Sequence, residues 1–184
     1  MSALTDGMAF VLAWEGGYVD DPVDRGGATN MGITQTTYNN WLASKRLPAA
    51  DVQHLTRDEA CDIYRSRYWS RVNGDRLAAL CPRLAVVVLD AAVQHGPRWA
   101  AITLQRAVGV QVDSEIGPAT LAAVKVQASV DPTALLTSYL SRRKAYYCAI
   151  INGDPSQNRF RNGWRRRLNA LCETVGLGPV WVTT

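Results

Sequence analysis

The chain has 184 residues, 47% of them apolar, and a formal net charge of +4, with a sequence pI near 9.0. This is enough apolar material to bury a core in one domain or two small lobes, which excludes a disordered tail, and the mild basicity points to an anionic polymer or surface, nucleic acid or bacterial wall, as partner. The longest apolar run, Leu84 to Val93, is interrupted by Asp90 and is about half of what a membrane span requires, so no stable membrane insertion is expected.

The first residues show neither a basic leader nor a small-residue cleavage pattern, so the expectation is synthesis in the cytoplasm without a Sec signal. Cys61, Cys81, Cys148 and Cys172 form no CxxC pair and no metal-ligand spacing with His54 or His95. They read as reduced core thiols, and neither metal nor cofactor is expected.

In chain order, Leu4, Met8, Val11 and Leu12 behind Thr5-Asp6 predict an amphipathic helix that the Gly16-Gly17 pair stops at Glu15. Residues 17 to 33 are rich in Gly and Asp and predict a long turn-rich segment with a short hairpin. Thr34 caps a second helix to about Ser44, and Thr56 with Glu59 forms a capping box for a third that ends near Tyr68. Leu84 to His95 is apolar nearly all round and predicts a central buried helix ending at Gly96-Pro97. A helix over Arg98 to Val108 stops at Gly109. The stretch VDSEIGPATLAAV then gives a loop and a helix with Pro118 first, and Asp131-Pro132 caps a long helix to about Ile150. A last helix, about Ser156 to Thr174, sets Phe160, Trp164, Leu168 and Leu171 on one face and arginines on the other. The fold class is mainly α, and the turn near 109 to 117 is a candidate boundary between two lobes.

Glu15 is the unusual residue. The C-terminal end of a helix carries partial negative charge, so a carboxylate there is disfavoured in its ionised form. A solvated glutamate paired with a nearby arginine would account for it without function. A helix-end glutamate with a raised pKa, followed within nine residues by Asp20, Asp21 and Asp24, instead suits glycoside hydrolysis, which needs a protonated acid and commonly a second group for water or charge. The aspartates also fit ordinary turn chemistry, favoured for Asp20 and left open for Asp21 and Asp24. The EF-hand spacing is absent. Tyr18 is a candidate for lining a groove. His95 reads either as a proton carrier or as a helix-end histidine satisfied by a backbone carbonyl. Trp14, Trp69 and Trp99 read as sugar-stacking or core, and Arg161 to Arg167 as a solvated helix face or a wall-contacting patch.

The stretch EGGYVDDPVDRGGATNMGIT resembles the signature of glycoside hydrolase family 108, bacterial and phage N-acetylmuramidases with a lysozyme-like fold. VVLDAAVQHGPRWAAITLQRAVG resembles that family's core helix pair, while VDSEIGPATLAAV and FRNGWRRRLNAL resemble its predicted peptidoglycan-binding C-terminal region. The resemblance implies a lysozyme-like helical fold with a short hairpin after the first helix, a catalytic region over 1–95 and a peptidoglycan-binding region packed on it over 96–184. It implies Glu15 as catalytic acid, with Asp24 and Thr29 resembling the Glu, Asp, Thr constellation of phage-type lysozymes, though the last gap is one residue shorter. Asp21 competes with Asp24, and Tyr18, Gln94 and His95 are expected against the substrate; Gln94 stands where asparagine is expected before His-Gly.

The activity so implied is hydrolysis of the β-1,4 bond between N-acetylmuramic acid and N-acetylglucosamine by a likeness of endolysins. A monomer reaching the wall or periplasm by a holin or export machinery is expected. The alternatives are a lytic transglycosylase and a non-catalytic peptidoglycan-binding or secretion-assisting protein. Nucleic-acid binding has no recognised motif to support it.

Overall fold

The computed structural model describes residues 2–20 and 27–182. The first helix, α1 (Ala3–Glu15), begins earlier than Thr5-Asp6 suggested, because the Ser2 side chain caps it by accepting from the Thr5 amide at 3.2 Å. Two short strands follow, β1 (Thr29–Asn30) and β2 (Ile33–Thr34), paired antiparallel with Asn30 opposite Ile33. The hairpin turn places both Met31 and Gly32 at positive φ, +48° and +72°, the handedness that matches two-residue turns to strand twist. Asn30 anchors this hairpin by donating from Nδ2 to the carbonyls of Val52 and Gln53.

Thr34 caps α2 (Gln35–Ser44), and the Thr56 and Glu59 capping box of α3 (Arg57–Tyr64) is formed in both directions. Beyond Tyr64 the chain continues as a π-helical turn over Arg65–Trp69 and a 3-10 turn over Ser70–Val72. The helix α4 (Gly74–Leu80) was not anticipated; it starts from Asn73 in left-handed conformation, with no side-chain cap to announce it. The buried helix α5 (Pro82–His95) starts two residues before Leu84, with proline in its first turn. The helix α6 (Pro97–Val108) ends at left-handed Gly109 as expected.

The loop to α7 (Pro118–Val130) is organised by Gln105, wholly buried, whose amide donates to Asp113, Glu115 and Thr120 and accepts from the amides of Asp113 and Ser114. Asp131 caps α8 (Pro132–Gly153). The last helix, α9 (Arg161–Thr174), starts later than Ser156, since Pro155–Phe160 forms 3-10 turns instead, and Phe160 is left 44% exposed while Leu168 and Leu171 enter the core.

One continuous core extends from Ala3 to Trp181. Within it α5 is sheathed by α1, α4, α6 and α8, which is why its sequence is apolar on nearly every side. The helices α1 and α5 pack closely: a side chain at Gly7 would strike Leu89, and Arg167 reaches both Glu15, the last residue of α1, and Asp90 within α5. No described helix is long and apolar enough to cross a membrane. All four cysteines are free thiols, Cys81 and Cys172 being buried.

Candidate active site

Glu15 is the last residue of α1, and Gly16 at φ +80° turns the chain away immediately after it. Its side chain is 18% exposed, and Oε1 accepts from Nη1 of Arg167 at 2.8 Å. The hairpin turn closes on the other oxygen: a Cβ at Gly32 would lie 2.8 Å from Oε2 of Glu15 and 2.6 Å from the Tyr64 hydroxyl. Only glycine combines this backbone conformation with that lack of space. Tyr64 fixes the turn by donating to the Met31 carbonyl at 2.9 Å, and burial together with the charge of Glu15 pushes its hydroxyl above the usual phenol range.

Behind Glu15 lies a buried ionic chain. Arg167 donates through Nε and Nη2 to Oδ1 of Asp90 at 3.0 and 2.7 Å, and Arg143 donates to Oδ2 of Asp90 at 2.8 Å. The side chains of Asp90, Arg143 and Arg167 are 1%, 0% and 8% exposed. Burial alone would raise the Asp90 carboxyl, but the two guanidiniums overcome it and hold it below the ordinary carboxylate range. Both oxygens of Asp90 are thus paired with guanidiniums, so this buried carboxylate is not left uncompensated.

The chain continues to the end of α5. Arg143 Nη2 donates to the Tyr147 hydroxyl at 3.3 Å, which lies 3.1 Å from Nε2 of His95. With the phenol oxygen accepting from arginine, its hydrogen is available to Nε2. Burial, reinforced by Arg143, pushes His95 down to about 3, so the ring is neutral at ordinary pH and is not poised to carry a proton there. Its partner is thus a tyrosine hydroxyl rather than a backbone carbonyl.

The other nominated residues stand as follows. Thr29 opens β1 and exchanges backbone hydrogen bonds with Val19 at 2.8 Å, in the same hairpin whose turn abuts Glu15. Tyr18 is 40% exposed and donates to Asp20 at 3.4 Å. Gln94 is half-buried in the last turn of α5. Asp21 and Asp24 lie outside the described residues. Trp69 is core, 1% exposed, whereas Trp14, next to Glu15, is 37% exposed. Among the described residues no group of His, Cys, Asp and Glu is arranged to hold a metal ion.

The arginine reading of α9 needs correction: Arg167 is not on a solvated face but is the buried link between Glu15 and Asp90. Asp90, Arg143 and Arg167 were all missed as site residues. A signal existed, because a lone aspartate inside an apolar, fully buried helix requires a cationic partner from elsewhere in the chain. The counter-charge it recruits is also what stands opposite Glu15, a feature that helix-end electrostatics alone does not contain.

The chain matches the glycosyl hydrolase 108 family model over residues 8–96 and the predicted peptidoglycan domain over residues 99–169. Comparison with curated proteins finds no match. Among solved structures, SagA of Brucella abortus is 37% identical, with 94% of this chain and 92% of that one covered and a TM-score of 0.72. The ionic chain crosses the seam between the two matched segments, since Glu15 and Asp90 belong to the first and Arg143 and Arg167 to the second. The protein belongs to glycosyl hydrolase family 108, a glycoside hydrolase that acts on peptidoglycan.

Proposed function

We propose that the chain is an N-acetylmuramidase that hydrolyses the β-1,4 bond between N-acetylmuramic acid and N-acetylglucosamine, with Glu15 as general acid. The observation that carries this reading is the setting of Glu15: a partly exposed carboxylate at a helix end, clamped between Arg167 and the Met31–Gly32 turn. Protonation of the glycosidic oxygen leaves negative charge on Glu15 as the bond breaks, and Arg167 stands at 2.8 Å to receive it. Arg167 itself is kept charged and fixed in direction by Asp90, which has no exposure to offer substrate and is a positioning residue.

A second carboxylate has to come from elsewhere than Asp90, whose two oxygens are committed to arginines. Asp24 or Asp21 is assigned the stabilisation of developing positive charge or the activation of water, and Thr29 the positioning of that water. Glycines of the following loop let the backbone approach the glycan closely.

The test is digestion of purified sacculi by wild type and Glu15→Gln, with soluble fragments read by mass spectrometry. Reducing muropeptides from wild type alone support the reading. Anhydro products would move the enzyme to the lytic transglycosylases. Release by both proteins would remove Glu15 from the chemistry, and release by neither, with both folded, would favour a wall-binding role.

A further inference from the structure

A second concave site lies in the part of the chain matched to the predicted peptidoglycan domain. Trp99, Thr103 and Arg106 line it from α6, and Arg142, Ala145, Tyr146 and Ala149 from α8, enclosing 280 Å³. The spacings are four and three on one helix, and three, one and three on the other, so each set forms one stripe of its helix, and the stripes face each other across the cleft. The alanines keep the floor low. Trp99 and Tyr146 pack with centroids 4.7 Å apart, and both rest on His95, at 4.5 and 5.1 Å.

Three features give this cleft its chemistry. Arg106 and Arg142 are exposed, line the cleft together, and form no ion pair among the described residues. No acid lines it. Thr103, only 5% exposed, lines the cleft and brings a hydroxyl to its wall. Two guanidiniums beside aromatic faces select a planar anion attached to an apolar or amide-bearing chain, and a carboxylate matches the guanidinium fork in geometry. In peptidoglycan the glycan is largely neutral once muramic acid is amidated, and the free carboxylates sit on the stem peptide. The volume suits a short stretch of peptide rather than a run of sugars.

We propose that this cleft between α6 and α8 binds the stem peptide of peptidoglycan, with Arg106 and Arg142 holding a carboxylate, the Thr103 hydroxyl accepting or donating to the adjoining amide, and Trp99 and Tyr146 flanking the chain. It rests on the reading that the protein acts on peptidoglycan, but not on Glu15 being the catalytic acid. Its walls contact His95, the end of the hydrogen-bonded chain that begins at Glu15, so stem recognition and cleavage are built on one rigid frame.

The test uses full-length Glu15→Gln, which separates binding from cleavage, titrated calorimetrically with the free tetrapeptide L-Ala-D-Glu-diaminopimelate-D-Ala, with chitotetraose and with glycerol phosphate. The expected result is tetrapeptide binding that falls at least tenfold in Arg106→Gln/Arg142→Gln and weakens with added salt, while the double substitution leaves chitotetraose binding unchanged. Unaltered tetrapeptide affinity in the double variant, no tetrapeptide binding at millimolar concentration, or tighter binding of glycerol phosphate would each overturn the proposal. If the double variant unfolds, Arg142→Lys, which keeps the charge and loses the fork, is expected to weaken tetrapeptide binding severalfold, and unchanged affinity there would count against it. Tetrapeptide binding by the variant, with wild-type protein that is folded yet releases nothing from sacculi, would sink the muramidase reading and leave this one standing.

Discussion

Replacing Arg167 by methionine removes three charged hydrogen bonds while leaving the space filled: two to Asp90 at 3.0 and 2.7 Å and one to Glu15 at 2.8 Å. Asp90 is then left with Arg143 alone, and one pair of a nearly solvent-free network is broken, which costs about 3–5 kcal/mol when a partner is removed. Because Arg143 still neutralises Asp90, the lower end applies, about 3 kcal/mol. For a chain of this size that lowers the thermal midpoint by about 6–12 °C. Glu15 also loses its anchor, and misplacement of a catalytic group by about an ångström costs on the order of 100-fold in rate. Thermal unfolding followed by circular dichroism measures the first effect, and clearing of a sacculus suspension under saturating substrate measures the second. Arg167→Lys should recover only part of either, since one ammonium lacks the fork that serves two carboxylates at once. Methionine at this position melting within 2 °C (roughly half a kcal/mol) of wild type, with full turnover, would refute the idea that the buried chain holds Glu15.

Glu15→Gln keeps an oxygen for Arg167 and leaves Asp90 fully paired, so stability should change by no more than about 1 kcal/mol while release of muropeptides falls by about two to four orders of magnitude; equal losses in folding and activity would make Glu15 structural. Gly32→Ala should distort the site, because the new methyl meets both Glu15 and Tyr64 and the backbone is left-handed; a midpoint drop together with lost turnover is expected, and wild-type turnover would show that the turn does not constrain Glu15. His95 gives the pH dependence. Its folded value is depressed from 6.5 to about 3, so the unfolded chain takes up a proton first, and the stability this histidine contributes above pH 6.5 is lost progressively as pH falls toward 3. The slope from this residue is at most about 1.4 kcal/mol per pH unit, Asp90 adding a loss of the same sign at lower pH. Urea unfolding of wild type and His95→Gln between pH 7 and pH 4 (a window set by about the free-imidazole pKa) should show that slope reduced in the variant; parallel curves would mean that the histidine titrates normally in the folded protein.

The amino-acid sequence by itself determined the helices, because their start and stop signals act within a turn or two: Thr34, the Thr56 and Glu59 box, Pro118, Asp131 and Gly109 each satisfy or terminate backbone groups only a few residues away. It also placed Glu15 at a helix end and a hairpin after it. Local signals were weaker where the backbone departs from regular helix, so α4 after left-handed Asn73 and the 3-10 turns before Arg161 were not legible. What only the tertiary structure decided is which charge answers which. Arg167 is 152 residues from Glu15 and 77 from Asp90, and although its spacing of three from Trp164 and four from Leu171 sets it nearer the apolar face of α9 than Arg165 or Arg166, nothing local names the acids it meets. The distinction is made by burial: in an interior that cannot solvate Asp90, the one arginine that α9 turns inward is obliged to pair with it, and the packing of α9 against α1 brings the same guanidinium to Glu15.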